Sequence, residues 1–174
     1  LMLVSLTGQT GYKYKSNFVE LKADSSVFFI QTTGHNAKSR IIQLEKLSKD
    51  RKISSFANIT DNRFIISGKG YKTETNDYTS YAYSTNDQNR IFVLPRIVCK
   101  LKNGQKIDAI LNKYKDKVIT ERINENKVIL RCLSNNSNEI LQIVSELEYM
   151  TELDWCEPEM LFDYKICNPL YSQQ

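Results

Sequence analysis

The sequence predicts an α+β chain in which strands outnumber helices. Short runs of β-branched and aromatic residues recur along it, three stretches carry apolar residues at helical spacing, and Gly, Asn and Ser clusters separate them. Tyr12 to Lys15, Phe18 to Lys22 and Val27 to Gln31 read as strands broken by polar residues. Ile41, Leu44 and Leu47 then fall at helical spacing and predict a helix over 38–48. Phe64-Ile65-Ile66, Tyr78 to Tyr83 and Ile91 to Leu94 return to strand. The turn-like segments Ser67-Gly68-Lys69-Gly70 and Ser84 to Asn89 separate them. Tyr71, Tyr78, Tyr81 and Tyr83 interleave with this region and read as one face of a half-buried sheet rather than as a base-stacking platform.

Pro95 punctuates the chain, and the second half is the more legible. From Arg96 to Lys102, Ile97, Cys99 and Leu101 alternate against Arg96, Lys100 and Lys102, the pattern of a strand buried on one face. Asn103-Gly104 is a turn, and Ile107, Ile110, Leu111 and Tyr114 recur at i, i+3, i+4 and i+7, an amphipathic helix. Lys117 to Ile123 and Lys127 to Leu133 are strands joined by a short turn. Asn135 to Asn138 supplies helix caps, and Ile140, Leu141, Val144 and Leu147 form the next apolar stripe. Glu152 to Glu157 reads as a last strand ended by Pro158. The order β-α-β-β-α-β is that of the ferredoxin-like split fold, so the chain divides into a β-rich N-terminal subdomain over 1–94, a ferredoxin-like domain over 95–162 and an extended tail over 163–174. Both helices need burial against one sheet face. By alternation, Val98, Lys100, Ile129, Arg131, Asp154 and Cys156 would then occupy the other, open face.

Composition narrows the function. At 41% hydrophobic and 25% charged, with six Gly and three Pro among 174 residues, the chain is neither collagen-like, coiled coil nor disordered. No apolar run approaches the roughly 20 residues of a membrane-spanning helix. The one histidine, His35, leaves little for a Ser-His-Asp triad or a zinc site, which points away from catalysis, metal and cofactor. Cys99, Cys132, Cys156 and Cys167 lack a C-x-x-C spacing; they read as buried thiols, with three pairings open should they oxidise. Residues 1–93 hold 13 basic against 8 acidic residues, but the lysines alternate with apolar residues as on a solvated strand face, so nucleic acid is not the expected partner. Glu146 to Asp163 carries seven acids and no Lys or Arg. The termini look like cuts in a longer chain, and Leu1 to Gly8 reads equally as a first strand or as the end of a secretory leader.

Four features of the second half are similar to a known family. These are the strand Arg96 to Lys102 followed by a helix ending in Lys113-Tyr114; the β-β-α unit after it; the strand Leu153-Asp154-Trp155-Cys156-Glu157-Pro158-Glu159; and the terminal Asn168-Pro169-Leu170-Tyr171-Ser172-Gln173-Gln174. Together they resemble the pro-region of secreted bacterial subtilisin-like serine proteases, whose catalytic domain opens on a similar Pro-Leu-Tyr-Ser-Gln-Gln segment. The likeness covers about 80 residues from Pro95 onward. Cys156 and Glu159 depart from the family's small residue and Asn, and no subtilase catalytic motif is present in the sequence.

The resemblance implies a non-catalytic role: intramolecular folding chaperone and temporary inhibitor of a subtilase catalytic domain in cis, in a secreted or cell-envelope protein. It implies docking through Val98, Ile129, Asp154, Cys156, Glu157 and Glu159, with the acids capping helix N-termini on the protease. It also implies that Leu161, Phe162, Asp163, Tyr164, Lys165, Ile166 and Cys167 lie along the substrate cleft as an added strand. The competing expectation is a secreted β-rich binding or adhesion module with no protease link.

Overall fold

The computed structural model describes residues 10–14, 17–32, 37–60, 62–69, 71, 77–84 and 89–162. The elements run β1 (Thr10–Tyr14), β2 (Asn17–Gln31), α1 (Ala37–Lys49), β3 (Ser55–Thr60), β4 (Arg63–Ser67), β5 (Tyr78–Ser84), β6 (Arg90–Leu101), α2 (Asp108–Tyr114), β7 (Val118–Asn124), β8 (Lys127–Cys132), α3 (Ser137–Leu147) and β9 (Leu153–Phe162). The chain is a mixed α+β structure built on a large antiparallel sheet. Its strand order is β3-β4-β2-β5-β6-β8-β7, with β1 paired to β2 and β9 paired to β6.

β2 joins two of the expected strands into one of 15 residues. The polar break between them is an irregularity rather than an end. The Asp24 carboxylate accepts from the Ser26 amide at 2.9 Å and from its hydroxyl at 2.5 Å, and the register with β5 slips between Asp24 and Phe28. The length lets β2 pair with β1 through Asn17 to Leu21, then with β5, and with β4 through Val27 to Gln31.

α1 forms where the spacing predicts it. Leu44 is buried against Ile30, Ile53, Phe64 and Ile66, with Ile41 and Leu47 packed at the margin. A buried ion pair between Arg40 and Asp77 joins α1 to the start of β5, and the Arg40 guanidinium also donates to Gln43 Oε1 at 2.5 Å.

β6 is the spine. The boundary expected at 94/95 falls inside this strand, which runs straight through Pro95. Ile91 pairs with Tyr83 of β5 and with Phe162 of β9; beyond the proline, Arg96 to Lys100 pair with β8 and Ile97 to Leu101 with β9. Pro95 sits where β5 hands over to β8 and where the register with β9 slips between Val93 and Ile97, so no ladder bond is lost to its missing N–H. One core consequently spans both halves: Phe29, Tyr83 and Phe92 pack in the same cluster as Ile97, Cys99, Ile110, Leu130, Ile140, Val144 and Leu147.

α3 lies at the centre of that core. The Asn136 side chain caps it, accepting from the Glu139 amide at 3.0 Å. Its buried residues (Ser137, Ile140, Leu141, Ile143, Val144 and Leu147) span more than one face, because the helix contacts β1 as well as β5, β6 and β9. The front of the chain therefore covers the outer side of α3. α2 packs beside β7 through Ile107, Ile110 and Tyr114. Gly104, at φ 79°, makes the turn that leads into it.

β9 also overruns its expected end. It continues through Pro158 to Phe162, five residues beyond Glu157. The helices and the start of β9 are thus placed as the sequence predicts, whereas β6 and β9 run through the prolines that seemed to bound them.

A candidate docking face on the sheet

In β6, Ile97, Cys99 and Leu101 face the helices and are buried, while Val98 and Lys100 between them are half-buried on the opposite face. Cross-strand partners share a face. Val98 lies opposite Ile129 of β8 and Glu157 of β9; Lys100 lies opposite Lys127 and Trp155; Arg96 lies opposite Arg131. Val98, Ile129, Trp155 and Glu157 thus form a contiguous half-buried strip across β8, β6 and β9.

Two ion-pair groups frame the strip. Arg96 donates to both Glu121 carboxylate oxygens, at 2.8 and 2.5 Å, and to Glu159 at 3.4 Å. These side chains are about a third exposed. The bidentate contact with Glu121 is the main reason that the guanidinium pKa is raised. At the other end, Lys100 pairs with Asp154 at 2.9 Å. Two of the acids expected to cap partner helices, Asp154 and Glu159, are therefore already matched by basic residues of this same face. Glu157 has no ion pair among the described residues.

Cys156 does not belong to this face. It is fully buried opposite Cys99, with its Sγ 3.5 Å from the Val144 carbonyl of α3. The reason is a bulge: the β6–β9 register slips between Lys100/Trp155 and Leu101/Leu153. Asp154 and Trp155 both stand opposite Lys100, and the alternation beyond them is inverted. Trp155 takes the place on the open face that alternation from Asp154 assigns to Cys156. Arg96 and Glu121 were likewise missed; the charge of Arg96 was visible, but its partner depends on a register that spacing does not reveal.

Leu161 and Phe162 do not trail free. Leu161 pairs with Phe92 and Phe162 with Ile91, so both belong to β9. Asp163, Tyr164, Lys165, Ile166 and Cys167 lie outside the described residues, as do His35, the terminal Asn168 to Gln174 and the opening Leu1 to Gly8.

Of the four interleaved tyrosines, Tyr78 and Tyr83 are buried, and Tyr71 and Tyr81 pack around Phe28 at ring separations of 6.1 and 5.5 Å. The Tyr78 hydroxyl donates to the Val93 carbonyl at 2.7 Å. Cys99, Cys132 and Cys156 are buried thiols. Burial pushes Cys99 and Cys132 up to about 12 and raises Cys156 further. Among the described residues no His, Cys, Asp and Glu group is arranged to hold a metal ion, and no helix is long and apolar enough to cross a membrane. Comparison of the chain with protein-family models, curated proteins and solved structures found no match.

Proposed function

We propose that the chain is the pro-region of a subtilisin-like serine protease of the secreted or cell-envelope kind, acting in cis as folding chaperone and temporary inhibitor of the catalytic domain. The observation that carries this reading is the half-buried strip Val98, Ile129, Trp155 and Glu157, which lies on the side of the sheet away from Ile97, Cys99 and the helices. A strand face with apolar residues at its centre and ion pairs at its rim has the anatomy of a docking surface.

The reading includes a ferredoxin-like unit over 95–162. The neighbour order β9-β6-β8-β7 supports it: counted within that unit, the fourth strand lies beside the first, then the third, then the second, all antiparallel. The resemblance of Leu153 to Glu159 and of Asn168 to Gln174 to subtilase segments supplies the family.

The mechanism follows from folding physics. A catalytic domain rich in parallel, long-range strand pairing closes large loops before its contacts form, and so folds slowly. A prefolded sheet that binds the native-like surface lowers that barrier, and the same binding inhibits the product. Glu157 then faces helix N-termini of the protease, while Asp154 and Glu159 exchange or share their present basic partners. The cleft-occupying segment starts after Phe162, since Leu161 and Phe162 are held in β9.

The test is refolding of the polypeptide encoded after Gln174, with and without this chain supplied in trans. The proposal expects recovery of peptidase activity only when the chain is present. A downstream polypeptide that recovers the same activity without it, or that has no peptidase activity under either condition, overturns the proposal.

A further inference from the structure

Cys99 and Cys156 are direct partners across β6 and β9, both fully buried on the helix-facing side of the sheet. Antiparallel partners come in two kinds, and the neighbouring backbone bonds decide which kind this is. The Leu101 amide donates to Asn126 at 2.7 Å, toward β8, and the Lys102 amide donates to Glu152 at 2.9 Å, toward β9. Backbone direction alternates along a strand, so Cys99 and Ile97, like Leu101, aim their N–H groups at β8. Across to β9 they form the non-hydrogen-bonded kind of pair. Pro158, opposite Ile97, agrees, since a residue without an N–H is at no cost there. Such pairs place their Cα atoms about 4.5 Å apart, with the side chains at their closest. That separation falls inside the window a disulfide needs.

We propose that Cys99 and Cys156 are a disulfide-forming pair that staples the edge strand β9 to the spine of the sheet. Cys132 is excluded as a partner. The residue of β8 opposite Cys99 is Val128, and Cys132 lies four positions further, roughly 13 Å along the strand. Separations beyond about 7 Å cannot be bridged without moving backbone. In the reduced chain Cys156 Sγ rests on the Val144 carbonyl at 3.5 Å and near Glu148 Oε2 at 3.7 Å. Rotation about its Cα–Cβ bond exchanges those contacts for the sulfur of Cys99.

The oxidant is a small disulfide such as oxidised glutathione. One cysteine thiolate attacks a glutathione sulfur, forming a mixed disulfide and expelling one glutathione thiolate. The second cysteine thiolate attacks the protein sulfur of that mixed disulfide, forming the Cys99–Cys156 bond and expelling the other. The two protons given up by the cysteines pass to the released glutathiones, which carry the two electrons. Both thiols are buried and hold their protons tightly, so exchange takes place before β9 docks rather than in the finished fold.

The experiment refolds the reduced 174-residue chain in a mixture of reduced and oxidised glutathione, quenches with iodoacetamide, and maps peptides without reduction. Trypsin is combined with a glutamate-specific protease so that Cys132 and Cys156 fall on separate peptides. The expected product links the Cys99 peptide to the Cys156 peptide, has lost two hydrogen atoms per chain, and unfolds at a higher urea concentration than the same sample after dithiothreitol. Cys132→Ser keeps the link and Cys156→Ser loses it. Cys99 recovered alkylated, or bonded to Cys132 or Cys167, overturns the proposal. Because the readout is a bond within this chain, it is independent of any partner protease.

Discussion

The Tyr83 hydroxyl lies 2.7 Å from the Ser137 hydroxyl, and it donates to the Asn138 side-chain carbonyl at 3.0 Å. This contact joins β5, in the front half of the chain, to the first turn of α3, in the back half. Burial is the main reason that the Tyr83 phenol pKa is raised. Tyr83→Phe removes the hydroxyl and leaves that of Ser137 without its partner. The expected cost is about 1–3 kcal/mol, read as a lower urea midpoint with an unchanged slope. Ser137→Ala in the Tyr83→Phe background should add much less than it does alone, because the two changes delete one interaction.

Arg40 and Asp77 form a buried ion pair between α1 and β5. Removing one partner leaves the other charge buried without its ion pair. Asp77→Ala is expected to cost about 3–5 kcal/mol, and the double variant Arg40→Leu/Asp77→Leu less than either single truncation. Urea unfolding of the three proteins measures the comparison. A double variant weaker than both singles would contradict it.

Stability of the reduced chain is expected to fall at alkaline pH. The thiols of Cys99 and Cys132 are raised from 9.0 to about 12 by burial, and Cys156 is raised further. Between about 9 and about 12 the unfolded chain releases protons that the folded chain keeps, so folding loses free energy as pH rises through that window. Below 9 both states are protonated and the contribution is fully present. Reduced protein should therefore unfold at progressively lower urea from pH 8 to pH 11. Replacing Cys99 with Val should flatten the decline.

The open face should tolerate polar change. Val98 and Ile129 are half-buried partners on that face, away from the helices. Val98→Thr is expected to shift stability by less than about 1 kcal/mol, whereas Val144→Thr on α3 puts a hydroxyl into a fully buried site and should cost about 1–3 kcal/mol. Thermal unfolding of the two variants separates the faces.

The back half was legible because its periods are clean. Ile97, Cys99 and Leu101 at spacing two, and Ile107, Ile110 and Tyr114 and Ile140, Leu141, Val144 and Leu147 at helical spacing, are buried as the pattern implies, with Leu111 partly buried beside them. β3 was missed because Ser55 to Thr60 is mostly exposed and gives no alternation to read. Pro95 and Pro158 were mistaken for ends because a sequence does not reveal which N–H groups a ladder leaves unused. Cys156 was misplaced by the bulge at Asp154, a one-residue event that inverts every later position in the strand. The pairing of Arg96 with Glu121 and Glu159 spans 25 and 63 residues and is fixed by register alone.

The most direct measurement is inhibition, by the isolated chain, of the catalytic domain proposed to follow it, compared with Val98→Asp and Ile129→Glu variants shown by circular dichroism to be folded. A docking face predicts inhibition at micromolar concentration or below for the unaltered chain, weakened at least tenfold by either charge, or by about 1.4 kcal/mol. Equal inhibition by all three proteins, or none by any, would contradict a docking role for this face.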